Sequence, residues 1–201
     1  MCSDSGDDDQ LVGGFNFTLA MRYLCTDMCQ RLPELHHIDL ERVAISFCQA
    51  RKNVSHGLQA SLTPLRFEHG ATTIQRGSQR YSCQPVRDHN GLEYFYILSF
   101  YLPRFLNQSV EEKLSTVAHE LWHISPAFDG DLRRHEGRCY MHGASQQQYN
   151  ATMDRLARSW LSLDPPHGVY EFLEYSYDDL AGQYGHVFGE RIPAPQIIPS
   201  T

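Results

Sequence analysis

An α+β fold is predicted from the order of the periodic segments. An amphipathic helix comes first, strand-like runs follow, further amphipathic helices close the chain, and no internal repeat is visible. The length of 201 residues suits one domain with a sizeable core. Hydrophobic residues make up 41% and charged residues 20%, the balance of an ordinary globular protein rather than a fibrous or disordered chain.

Residues 1–14 are rich in Asp and Ser and end in Gly13-Gly14, so a disordered acidic tail is expected there. Residues 17–32 carry Met21, Leu24, Cys25, Met28 and Leu32 at helical spacing. Residues 42–48 alternate, with Val43, Ile45 and Phe47 on one strand face. The polar stretch 51–57 reads as a turn or loop. Residues 62–67 form a second strand, which Pro64 places near an edge or an end. Residues 68–92, rich in Gly, Ser, Gln and Arg, give no assignable period. The aromatic-rich and Ile-containing run 94–102 is the clearest strand, and Pro103 stops it.

A helix is expected over 109–124. Val110, Leu114, Val117, Ala118, Leu121 and Ile124 form its core stripe, and Ser109 with Glu112 its capping box. A polar loop over 125–143 leads to a helix over 145–161. That helix carries Tyr149, Met153, Leu156, Ala157 and Trp160 on one side, a Ser145/Gln148 capping box at its start and Asp164-Pro165-Pro166 beyond its end. Residues 170–183 suggest a last helix, and 193–201 a Pro-rich loose tail. The domain proper therefore runs from 15 to 192.

The net charge of −7 argues against a general nucleic-acid binder, because phosphate contacts need a basic face. No apolar run reaches the ~18 residues of a membrane helix. The acidic start lacks the basic and apolar regions of a secretory signal, so a cytoplasmic protein with no membrane partner is expected. The six cysteines include no Cys-x-x-Cys pair and read as thiols in a reducing compartment. Cys25 and Cys29 lie four apart on a helix, where packing is the expected role.

Residues 119–123 read His-Glu-Leu-Trp-His, the most informative pentapeptide in the chain. On a helix, His119 and His123 project from adjacent turns of one face, opposite the apolar stripe. Two neutral imidazoles so placed suit one Zn²⁺. Glu120 borders the metal, where a carboxylate can take a proton from a bound water. A catalytic zinc usually has three protein ligands, and the following loop offers His135 and His142. Asp129 and Asp131 are further candidates, as ligands or as groups orienting an imidazole.

The run from His119-Glu-Leu-Trp-His123-Ile through Phe128-Asp-Gly-Asp-Leu-Arg-Arg-His135 to His142-Gly143 resembles the phage-type metallopeptidases, which in turn resemble the SprT-like zincins. The likeness is close over about 25 residues and agrees only in outline over 17–102. It implies a zincin-like single domain, with a small mixed sheet packed against helices that include the metal-binding one. It also implies peptide-bond hydrolysis. In SprT-like zincins the third ligand is a His followed by Gly just before the next helix, which favours His142 over His135. The loop bearing Arg133, Arg134 and His135 has no clear counterpart there. Relatives acting on DNA-bound proteins carry extra DNA-binding elements, whereas this chain is acidic and has no Cys-x-x-Cys ribbon.

The expectation is thus a zinc-dependent metallopeptidase acting on a peptide or protein substrate. His119, His123 and a loop histidine would hold the metal, and Glu120 would be the general base. Tyr140 and Arg138 are candidates for stabilising the oxyanion. The strand at 94–102, if it lies at the sheet edge, would pair with an extended substrate. A closed site with both His135 and His142 as ligands would instead make the chain a non-catalytic zinc-stabilised interaction module. The sequence leaves the substrate and oligomeric state open.

Overall fold

The structure is a computed structural model that describes residues 13–50, 57–134 and 146–200. Its elements run β1 (Phe15–Asn16), α1 (Phe17–Arg31), β2 (Val43–Gln49), β3 (Ala60–Pro64), β4 (Thr73–Arg76), β5 (Gln79–Cys83), β6 (Tyr96–Leu102), α2 (Val110–Trp122), α3 (Gln146–Ser162), α4 (Tyr177–Tyr184), β7 (Val187–Phe188) and β8 (Ile197–Pro199). Helices and strands mix along the chain, as α+β requires. Among the described residues no helix is long and apolar enough to cross a membrane.

The central sheet has the order β2-β6-β3. β2 runs parallel to β6, and β3 antiparallel, so the sheet is mixed. β6 lies in the middle, so of the two places the sequence allowed residues 94–102, edge or interior, the interior one holds, and this strand is not the one open to a substrate. Five of its first six positions are buried to the full extent, a continuous apolar run typical of a strand covered on both faces. β2 and β3 are its two edges, and β3 ends at Pro64 as the proline implied.

One face of this sheet carries the main core. Phe17, Met21, Leu24 and Met28 of α1 meet Val43 and Ile45 of β2, Leu98 and Phe100 of β6, and Leu114, Val117 and Leu121 of α2. Each fully buried Leu, Ile or Phe contributes about 1.5–3 kcal/mol relative to exposure, so this cluster dominates stability. α3 adds Met153, Leu156, Ala157 and Trp160, as its periodicity predicts. The Trp160 indole donates to Asp27 Oδ1 at 2.8 Å, and Arg31 Nε donates to the same oxygen at 2.7 Å, which ties α3 to α1. A smaller cluster of Ala44, Leu65, Tyr94 and Ile97 lines the other face.

The structure assigns one segment that the sequence left open and corrects two expectations. Residues 68–92 contain the hairpin β4–β5, closed by a Gly77-Ser78 turn in which Gly77 takes φ 61°. The expected loose tail over 193–201 instead places β8 antiparallel to β5. The expected helix over 170–183 breaks at Tyr175; a short 3-10 turn, Glu171–Glu174, precedes α4, whose own capping box pairs Ser176 with Asp179. The cysteines described here, Cys25, Cys29, Cys48 and Cys83, are free thiols. Burial pushes the Cys25 thiol up to about 12 and the Cys29 thiol higher still, so neither offers a thiolate at neutral pH and both act as packing groups.

Candidate metal centre

α2 starts as its sequence dictates. The Glu112 amide donates to Ser109 Oγ at 3.3 Å, and the Ser109 amide donates to Glu112 Oε2 at 2.9 Å. Leu114, Val117, Ala118 and Leu121 are fully buried along its core face. Lys113 is buried too, a placement the apolar stripe did not signal. Its Nζ donates to the carbonyls of Leu173 (2.7 Å) and Tyr175 (3.0 Å), which pins the 3-10 turn before α4 onto α2. Burial lowers the Lys113 pKa to about 8, partly opposed by the Asp179 charge.

At the C-terminal end of α2 the two imidazoles converge. Nε2 of His123 lies 2.9 Å from Nε2 of His119, and the rings meet edge to face with centroids 4.6 Å apart. Two nitrogens bound tetrahedrally at Zn–N distances of ~2.0–2.1 Å would be about 3.3 Å apart. The observed spacing is a few tenths of an ångström shorter, a difference that small rotations about χ2 absorb. The donor set and its convergence therefore fit zinc. Among the described residues, no set of three His, Cys, Asp or Glu side chains is grouped to hold a metal ion. The remaining ligand candidates, His135 and His142, lie in 135–145, outside the described residues, as do Tyr140 and Arg138.

Glu120 lies beside the pair, only 8% exposed. Burial pushes its carboxyl up from 4.5 to about 7, partly opposed by the nearby Leu62 backbone amide, which favours the charged form. The direction of that amide follows from the sheet register. Tyr101 N donates to Gln59 O and Leu65 N donates to Phe95 O, so odd-numbered residues of β3 face β6 in the ladder. Ala60 and Leu62 thus direct their main-chain groups to the open edge, toward α2. Pro64, the next outward position, has no N–H to offer.

Beyond α2 the chain reverses tightly. Phe128 N donates to Ser125 O at 2.8 Å, and Gly130 takes φ 87°, where a Cβ would also collide with the Arg66 side chain. The Tyr96 hydroxyl donates to Asp131 O at 2.8 Å and accepts from Gly130 N at 3.0 Å, which fixes the turn to the central strand. The Asp131 carboxylate accepts from Arg134 Nε (2.9 Å), His69 N (2.9 Å) and Leu132 N (2.8 Å). Burial alone would raise its pKa; these bonds outweigh burial and hold it low. Asp131 is thus a clasp for the turn. Asp129 accepts from the Asp131 amide at 3.2 Å within the same turn, and neither carboxylate joins the histidine pair. The returning strand crosses the helix end, where Arg133 N donates to His123 O at 2.7 Å. Arg133 also donates from Nε to Trp122 O at 2.7 Å and lays its guanidinium 4.0 Å above the Trp122 ring.

A cleft of about 650 Å³ opens in front of His119 and Glu120, between the start of β3, α2 and α3. Sequence reasoning missed both the β3 edge and the α3 wall as parts of the site. Pro64 was the signal for the first; the second follows only from α3 packing on α2, where Ser115 Oγ donates to Asp154 Oδ1 at 2.7 Å. Comparison of the chain with protein-family models, curated proteins and solved structures gives no match.

Proposed function

We propose that this chain is a zinc-dependent metallopeptidase of the zincin type. The observation that carries the reading is the convergence of His119 and His123 Nε2 to 2.9 Å beside a buried glutamate, with His119 and Glu120 lining a cleft that the edge strand β3 borders. His119 and His123 would hold the metal together with His142, or with His135. A bound Zn²⁺ supplies a Lewis acid that polarises a carbonyl and acidifies a water.

The chain's own groups supply the rest. Glu120 would accept a proton from water at one step and return it to a leaving amine at the next. The outward main-chain groups of Ala60 suit pairing with an extended peptide, which would add a strand to β3 and lie across the histidine pair. Hydrolysis is tested with an unfolded protein as substrate. Cleavage that stops on chelation and returns with added zinc supports the reading. Stable zinc binding through four protein ligands, with no cleavage, would favour the interaction module instead.

A further inference from the structure

The cleft continues past Glu120 over apolar atoms that the proposed chemistry does not use. Its floor is formed by Leu114 of α2 and by Met153 and Ala157 of α3, all buried, and its mouth by Leu58 and Leu161. Leu58 is 60% exposed. Charged groups share the lining, Glu111 and Arg158 among them, and two of the carboxylates are engaged within the fold. Glu112 caps α2, and Asp154 accepts from Ser115. A peptide paired with the β3 edge would present alternate side chains to the same side, and the floor lies beside that edge.

We propose that this floor is a specificity subsite, in which Met153, Ala157 and Leu161 take one large apolar side chain of a peptide running along β3. The inference rests on the peptidase reading for its purpose but not for its measurement. Such a side chain gains burial against three apolar walls. A lysine or glutamate seated on those apolar atoms would lose hydration of its charge. The volume exceeds one side chain, which leaves room for the peptide's own backbone at the mouth.

The test uses the full chain loaded with zinc and carrying Glu120→Gln, so that binding is read without turnover. The probes are blocked octapeptides of Ala and Gly with a single Phe, Lys, Glu or Ala at position five. The Phe peptide should bind about 10- to 100-fold tighter than the Ala peptide, the ratio expected for burying one large apolar side chain. Adding Ala157→Phe fills the floor and should bring that ratio to within about twofold. Ala157 is buried, so Leu161→Gln at the half-buried mouth provides a second variant, expected to cut the ratio several-fold. The ¹³C-labelled methyl of Met153 should shift with the Phe peptide and stay put with the Ala peptide. Equal affinity for Phe and Ala, preference for Lys, an unmoved Met153 methyl at saturation, or no binding by any peptide would each overturn the subsite. Phe-selective binding by a wild-type protein that cleaves nothing would support the subsite while refuting the peptidase. Cleavage with no preference for Phe would do the reverse.

Discussion

The Leu62 amide on the outward side of β3 faces the Glu120 carboxylate of α2, and it partly offsets the burial that raises the carboxyl's pKa. This approach links the histidine-bearing helix to the strand that would receive a peptide. Leu62→Pro removes the amide N–H without removing a bond of the ladder, because that N–H points away from β6. The amide favours the carboxylate form, so its loss should raise the Glu120 pKa further. The acid limb of the pH–activity profile is expected to move to higher pH. An unmoved limb in a folded Leu62→Pro protein would show that the amide does not tune the base.

Burial of Glu120 also makes a prediction for stability in zinc-free protein. Its folded pKa, about 7, lies above the ordinary 4.5, so the folded state binds more protons than the unfolded chain between those values. Stability should therefore fall as pH rises through that window, by up to roughly 3 kcal/mol. Glu120→Gln should abolish the slope and be the more stable protein at pH 8. Urea midpoints from pH 4.5 to 8 for both proteins measure this.

Lys113 predicts the opposite slope at higher pH. Its folded pKa of about 8 lies below the ordinary 10.5, so the unfolded chain binds more protons between those values and stability should rise with pH there. Lys113→Ala should remove that rise. At neutral pH it should cost roughly 2–4 kcal/mol, because the Leu173 and Tyr175 carbonyls lose their donor and a buried stem is deleted. Denaturant unfolding at pH 7 and across pH 8–10 tests both statements.

The helix carrying His119, Glu120 and His123 was legible in the sequence, because its cap and its stripe are local signals. Its surroundings were less so, for identifiable reasons. The β4–β5 strands are largely exposed and show no apolar alternation; only Gly77-Ser78 marked their hairpin. β8 exists through pairing with β5, which no local pattern encodes. The run 94–102 was legible as a strand, and its apolar character was the sign that favoured an interior place over an edge. Ser176 with Asp179 was likewise a helix start inside a segment read as one helix. Which loop histidine completes the site is a question of residues 135–145, outside the described residues.

Tyr96 tests the link between the central strand and the turn after α2. Tyr96→Phe keeps the ring but removes the hydroxyl that joins Asp131 O and Gly130 N. A loss of about 1–2 kcal/mol in unfolding free energy is expected, since both groups are left buried with one partner fewer. Zinc affinity should fall as well, because the same turn directs the chain past His123. Chelator competition on the two proteins measures the second effect; unchanged affinity would uncouple the turn from the metal centre.

The most direct measurement compares wild type with Glu120→Gln, both loaded with zinc, in cleavage of an unfolded protein, with metal content determined on the same samples. Equal zinc in both and a loss of turnover of at least ~10²-fold in the variant are predicted, because an amide cannot accept the water proton. Equal zinc with equal cleavage rates would contradict the assignment of Glu120 as the base and the metallopeptidase mechanism built on it.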